Sequence, residues 1–337
     1  MNVPMENTKN NPIDVVITWV DGEDPKHRAK RTQFLTGKKE NKFKDVAGET
    51  RYNQVGEIYY CIASIIRFAP WVNKIYIVTD EQDPKVDTFI NKHFPNCTIP
   101  IEIIDHKVIF KGYEEYLPTF NSLTITSMLW RIPNLSEHFI LFNDDVVLLR
   151  ETKEEDYFAN GKIVLYGESW IPTFMAETSI ALQTLVRKLS GRKALLSFKK
   201  FMLNAAYALN QSKFIRLRHT PHAFRKSIFQ KFYDEHPQLL VNNIKHRFRN
   251  KEQYSSAELH HLLAVKQGEA ILPFRKDKDV IVSPFQYQLE DLKKLLKSIQ
   301  DNTGYLYFCA NSLDQSSPEI IDEVNNWMHN IIGLSKE

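Results

Sequence analysis

Residues 138–145 read His138-Phe139-Ile140-Leu141-Phe142-Asn143-Asp144-Asp145. A short apolar run of this kind predicts a buried strand, and it stops at an Asn and two acids. Adjacent carboxylates at a strand end lose solvation and repel each other. A hard cation between them removes both problems, because Mg²⁺ and Mn²⁺ prefer carboxylate oxygens. Three more β-rich runs share the pattern. Ile13–Thr18 leads into the turn Trp19-Val20-Asp21-Gly22, Lys74–Thr79 ends at Asp80, and residues 98–104 end at Asp105. Strands separated by helical segments predict an α/β fold: a Rossmann-like, mostly parallel sheet with helices on both faces. Such sheets bind ligands beyond the carboxyl ends of their strands. Asp21, Asp80, Asp105, Asp144 and Asp145 are therefore expected on one rim.

Glu57–Phe68 sets Ile58, Cys61, Ile62, Ile65 and Ile66 on one helical face before Pro70. From about residue 151 the texture changes. An acidic helical turn over 153–158 precedes an irregular apolar-aromatic stretch over 161–180. Basic helical sequence follows over 181–213, and a further helix is expected over 255–265. Residues 318–333 carry Ile320, Ile321, Val324, Trp327, Met328 and Ile331 at helical spacing, which predicts a docking helix. The expected organisation is a disordered arm (1–12), an α/β core (13–150), a helical and basic part completing the site (151–317) and a C-terminal amphipathic helix (318–337).

The chain has 337 residues, 43% hydrophobic and 25% charged, ordinary values for a globular protein. Its net charge of +3 hides an uneven spread. Arg187 to Lys251 holds 16 Lys or Arg against two acids, leaving 28 basic against 39 acidic residues elsewhere. Such a block suits a phosphate-rich ligand or an anionic polymer, and equally a solvated basic face. Within it, Arg216-Leu217-Arg218-His219-Thr220-Pro221-His222-Ala223-Phe224-Arg225 mixes two kinds of group. Its histidines can take a hydroxyl proton and its arginines can grip phosphate. His246-Arg247-Phe248-Arg249 is a second phosphate-clamp candidate.

Cys61, Cys97 and Cys309 have no metal-ligand spacing, and an odd set predicts a reducing compartment. No apolar stretch is long enough to span a membrane, and the N-terminus is polar. The expected location is cytoplasmic, with at most peripheral contact at the inner face of the cell membrane. No nucleic-acid partner is expected. Gly-x-Gly-x-x-Gly, Walker and Gly-x-Ser-x-Gly motifs are missing, so phosphate must be held by metal and side chains.

Long, ordered stretches of the chain resemble the Stealth family of sugar-phosphate transferases. A first block is Ile13-Asp14-Val15-Val16-Ile17-Thr18-Trp19-Val20-Asp21-Gly22. A second runs from Arg51-Tyr52 through Ala69-Pro70-Trp71-Val72 and Ile75–Asp80 in sequence order to Leu117-Pro118-Thr119-Phe120-Asn121-Ser122. It continues through Arg131-Ile132-Pro133 to Phe142-Asn143-Asp144-Asp145-Val146. A third is His219-Thr220-Pro221-His222 with Phe248-Arg249, and a weaker fourth is Tyr307-Phe308-Cys309-Ala310-Asn311. Three positions depart from the family pattern. Leu123-Thr124-Ile125-Thr126 replaces His-Ala-Ile-Glu, Trp130 replaces a His, and Ala310-Asn311 lacks an acid.

The resemblance implies a GT-A-like, nucleotide-sugar-binding core and transfer of sugar-1-phosphate from a UDP-sugar to a glycan hydroxyl. The product is a phosphodiester in a bacterial surface polysaccharide, and UMP leaves. The acceptor is an oligosaccharide or lipid-linked glycan. Asp144 and Asp145 would hold Mg²⁺ or Mn²⁺ and the donor phosphates. His222 is the general-base candidate, with Arg249 and Arg225 on the phosphoryl oxygens. Asp14, Trp19 and Asp21 would border the nucleotide, Asp80 and Asn143 would support the site, and Asn121 and Arg131 would touch donor or acceptor. Two other readings use the same residues. One is a metal-dependent glycosyltransferase of GT-A type that releases UDP; the other is a non-catalytic glycan- or polyanion-binding protein.

Overall fold

The computed structural model describes residues 11–35, 43–44, 55–192, 194–273 and 278–335. Most of the N-terminal arm and Arg51-Tyr52 lie outside the described residues. The first half of the chain builds β1 (Ile13–Thr18), α1 (Pro25–Leu35), α2 (Glu57–Phe68), β2 (Lys74–Thr79), α3 (Val86–His93), β3 (Ile101–Asp105), α4 (Ser122–Thr126), β4 (His138–Asn143) and β5 (Val146–Leu148). The second half adds β6 (Gly167–Pro172), α5 (Thr173–Leu189), α6 (Phe198–Ala208), β7 (Lys213–Leu217), β8 (His222–Arg225), α7 (Lys226–Glu235), α8 (Pro237–Ile244) and α9 (Ser256–Lys266). It ends in β9 (Asp279–Val282), α10 (Leu289–Asp301), β10 (Tyr307–Ala310) and α11 (Pro318–Ile332).

The central sheet has five strands in the order β8-β4-β1-β2-β3. β1, β2, β3 and β4 run parallel, and β8 runs antiparallel to β4. Val15, Val16, Ile17, Ile75, Ile77, Phe139 and Ile140 are all fully buried, so both faces are covered. That burial is why these strands read as apolar runs without alternation. β3 begins at Ile101, later than the sequence predicts. Pro100 has no N–H to give a ladder; its carbonyl accepts from the Ile75 amide at 2.9 Å as the strand starts.

The 161–180 stretch, read as irregular, is ordered. Gly167–Pro172 pairs antiparallel with Lys213–Leu217, and Pro172 leads directly into α5. α5 stops at Leu189 and α6 starts at Phe198. A further sheet is three-stranded, β9-β10-β5, with β10 antiparallel to β5. Ile320, Val324, Trp327, Met328 and Ile332 of α11 pack with Leu292, Leu296 and Ile299 of α10. Trp327 meets Phe308 of β10 edge-on, with ring centroids 4.8 Å apart. The C-terminal helix is thus a docked element. Among the described residues no helix is long and apolar enough to cross a membrane.

β8 is an edge strand, and α9 covers its outer side. Nε2 of His260 lies 3.1 Å from both the amide nitrogen and the carbonyl oxygen of Arg225, and Nε2 of His261 lies 3.2 Å from the carbonyl of Ala223. Two adjacent buried imidazoles therefore occupy the polar edge that β8 would otherwise leave unpaired. Burial pushes the pKa of His260 down to about 3 and that of His261 well below its ordinary value. Burial also lowers His106 to about 4. The unfolded chain binds protons at these groups below about pH 6.5, while the folded protein does so only near pH 4 or lower. The unfolded state holds more protons in that window, so stability falls as the pH drops through it. The loss approaches roughly 1.4 kcal/mol per pH unit for each such histidine. Thermal melts should show a lower Tm near pH 5 than near pH 7, and His260→Gln should shrink the difference. Equal Tm values across that range would contradict neutral burial of these rings.

Candidate active site

The chain begins the central sheet at β1, moves outward to β2 and β3, then returns to the other side of β1 as β4. This reversal opens a crevice between the carboxyl ends of β1 and β4, the place where such sheets bind ligands. Trp19 follows β1, is buried, and donates its amide to Val78 at 2.9 Å. Asp21 exchanges two 2.9 Å bonds with the side chain of Gln82, which ties the loop after β1 to the loop after β2. Asp80 is buried with Lys30 of α1 at 3.4 Å. Lys107 and Lys30 hold Glu81 at a pKa of about 2. Asp105 accepts the Glu81 amide at 2.7 Å and caps the helix that begins at His106. Neither ring nitrogen of the buried His106 has a hydrogen-bond partner among the described residues.

Asp144 and Asp145 form the two-residue turn that joins β4 to β5. The tight connection leaves no room for the carboxylates to separate along the chain. Glu57, first residue of α2, adds a third acid: burial raises its pKa, and the charge of Asp145 contributes. Burial, then Asp145, then Glu57 raise Asp144 well above the ordinary carboxylate range. Asp145 goes the other way. Burial pushes it up, but the nearby His219 imidazole, with the Cys309 thiol, holds it below its ordinary value. Cys309 donates to Asp145 Oδ2 at 3.3 Å, and His219 Nε2 stands 3.7 Å from Oδ1. Oδ1 is buried without a hydrogen-bond partner among the described residues.

The second wall comes from β8. It is antiparallel to β4 with His222 opposite Leu141, so its first residues lie at the same end as Asn143. His219 Nε2 approaches Asn143 Nδ2 at 3.3 Å. His222 packs 5.3 Å from the His261 ring, and burial, with the nearby His219, lowers its pKa to about 4. Asp144, Asp145, Asn143, His219 and His222 therefore share one end of the sheet, with Trp19, Asp21 and Asp80 along the same rim. His219, Cys309 and Glu57 were not singled out from sequence. The first two lie inside motifs that were noticed; Glu57 gave no signal beyond opening a helix.

Other predicted residues lie elsewhere. Asp14 is near the start of β1, away from the carboxyl ends, and accepts from Asn73 Nδ2 (2.8 Å) and the Ser136 amide (2.7 Å). Arg225 pairs with His138 at the far end of β4, where Glu269 (2.6 Å) and Glu137 (3.3 Å) hold its guanidinium. Its charge satisfies two carboxylates instead of reaching the rim. Arg131 caps the carbonyls of Ile109 and Lys111 at 2.7 and 2.6 Å. Asn121 is buried, binding the His246 carbonyl and Gln253. Arg249 donates to Ser122 Oγ at 2.8 Å, on a loop where Phe248 stacks with Phe120.

The acidic turn fits a divalent cation. A buried carboxylate oxygen without a hydrogen-bond partner among the described residues, with the charges of a second carboxylate and a third acid close enough to act on each other, suits a hard cation. Asp145, His219 and Cys309 also bring one possible ligand atom each within 4.8 Å of one another. Burial raises the Cys309 thiol well above its ordinary pKa. As a thiol it orients Asp145 Oδ2, and the oxygens remain the donors.

Residues 11–39 match the model for Stealth protein conserved region 1, and residues 51–166 match conserved region 2. The capsular polysaccharide phosphotransferase LcbA of Neisseria meningitidis is 34% identical over 313 residues, covering 89% of this chain and 77% of the relative. The chain belongs to the Stealth family. A capsular polysaccharide phosphotransferase of Actinobacillus suis is 30% identical over 96% of this chain and 81% of its own length. Among solved structures, the galactosyltransferase LgtC, in complex with donor and acceptor sugar analogues, has a TM-score of 0.45 at 10% identity, covering 96% of this chain and 97% of that one. That distance carries no inference about chemistry. As a member of the Stealth family the protein is a transferase-class enzyme, with its α/β sheet placing the acidic turn at the carboxyl ends of the strands.

Asp14 and Arg225 lie at the opposite end of the sheet from the acidic turn. Asp14→Ala leaves two donors without their acceptor, which costs about 1–3 kcal/mol. Urea denaturation should show that loss, while the KM for donor stays unchanged. A raised donor KM at parental stability would return Asp14 to the site.

Proposed function

We propose that this Stealth protein transfers sugar-1-phosphate from a UDP-sugar to a hydroxyl of a glycan acceptor and releases UMP, building a phosphodiester of a bacterial surface polysaccharide. The observation that carries this reading is the meeting of the Asp144-Asp145 turn with His219 and His222 across the end of the sheet. An acidic wall suited to a cation faces an imidazole wall, an arrangement that can neutralise phosphate charge on one side and take a hydroxyl proton on the other. The printed names of the relatives, capsular polysaccharide phosphotransferases, favour moving phosphate with the sugar.

In this reading the acceptor oxygen attacks the donor's β-phosphorus. The new P–O bond forms as the bond from that phosphorus to the bridging oxygen breaks, and UMP departs with the bridging oxygen. His222, neutral at physiological pH, takes the acceptor's proton. His219, kept more basic by Asp145, faces the phosphates. Mg²⁺ or Mn²⁺ held by Asp144 and Asp145 would neutralise phosphate charge. Trp19, Asp21 and Asp80 border the nucleotide side of the crevice.

Donor carrying label in its β-phosphate distinguishes the chemistries. Phosphotransfer puts the label into acceptor and yields unlabelled UMP; labelled UDP would make the protein a glycosyltransferase. Asp144→Asn removes a charge from a repelling pair, so Tm should hold or rise while turnover falls by about three orders of magnitude or more. Ordinary turnover in that variant would sink the metal-site assignment. His222→Gln should lower kcat by roughly 10²–10⁴ without unfolding the protein.

A further inference from the structure

Helix α5 is amphipathic with its apolar side outward. Phe174, Met175, Leu182, Leu185, Val186 and Leu189 are all exposed, Phe174 by 67% and Leu189 by 79%. They are six of the thirteen exposed large hydrophobic side chains among the described residues. At about 100° per residue, these six and Thr178 fall within one arc of about 120°. The opposite side holds the helix to the protein by little. Ala176 is its one buried residue, Ile180 is partly buried against the core, and Ser179 Oγ accepts from Lys199 Nζ at 3.3 Å. A helix with so little tertiary anchoring is marginal in water, and a contiguous apolar stripe on a soluble surface marks a docking face.

We propose that α5 docks this protein on a membrane surface, lying in the headgroup layer of a bilayer that carries anionic lipids. Two observations choose that occupant. The face has no polar group to offer a protein partner: the Thr178 hydroxyl donates to the Phe174 carbonyl at 2.8 Å, and the neighbouring Thr184 hydroxyl to Ile180 at 2.8 Å. Protein interfaces carry about one hydrogen bond per 100–200 Å², whereas acyl chains need none. The C-terminal flank is also cationic. Arg187 and Lys188 occupy the last turn, Arg192 follows it, and no acid occurs between Glu177 and Asp234. Phe198, 48% exposed, continues the apolar surface beside Lys199 and Lys200. An apolar stripe bordered by cations is the pattern of a helix lying in the interface plane over anionic lipid. The other amphipathic helix, α11, has its apolar side already covered by α10. This inference does not depend on the proposed reaction.

Co-sedimentation of the full chain with vesicles tests it. The protein should pellet with vesicles of phosphatidylglycerol and phosphatidylcholine, remain in the supernatant with phosphatidylcholine alone, and bind less as salt is raised. Leu185→Asp/Leu189→Asp should lower the partition coefficient by about tenfold or more with Tm unchanged, because both side chains are exposed. Lys188→Glu/Arg192→Glu, which leaves the apolar face intact, should lower it several-fold on the anionic vesicles. Failure to pellet with either vesicle overturns the proposal, as does equal binding by parent and Asp variant. A concentration-dependent dimer that the Asp substitutions abolish, without vesicle binding, overturns it in favour of a second copy of the chain.

Discussion

The pairing of β8 against β4 is the contact on which the site depends. β8 is only four residues long, yet its register sets His222 beside Leu141 and carries His219 to Asp145. A one-residue slip would turn every side chain of β8 to the opposite face and leave the acidic turn without its second wall. Three long-range anchors prevent it. His260 and His261 hold the outer backbone edge, and Glu137 with Glu269 fixes Arg225 at the far end. These residues touch no reacting atom. Their work is to make a short edge strand behave as a fixed part of the sheet.

The acidic turn shows the opposite economy. Glu57, Asp144 and Asp145 repel one another when ionised; the two aspartates share a two-residue turn, and the start of α2 brings Glu57 to them. The two aspartates respond unequally because their neighbours differ. Asp145 has a thiol and an imidazole, while Asp144 has burial and like charge. That inequality gives the pair one carboxylate held ionised by protein and one whose ionisation an added cation would favour.

Much of this was legible in sequence where the signal is local. Strands β1, β2 and β4 are continuous apolar runs because both sheet faces are covered, and the acids after them land on one edge because the strands are parallel. α2 and α11 follow their helical periodicity. What escaped needs partners far away in the chain. Arg225 looks like a phosphate clamp amid a basic block, and only the fold brings Glu137 and Glu269 to it. Asp14 shares a block with Trp19 and Asp21, but a strand of six residues separates its end of the sheet from theirs. Periodicity finds the apolar stripe of a helix without saying which side faces inward, so α5 could not be read as outward-facing.

The partner of β5 in its sheet is β10, and β10 supplies the thiol that orients Asp145. During synthesis the acidic turn therefore emerges long before its neighbour at residues 307–310. A chain that has folded its central sheet still lacks the contact that sets Asp145, because β4 and β5 belong to different sheets and β5 finds its partner only in β10. The setting of Asp145 therefore waits on a strand whose thiol lies 164 residues further along the chain.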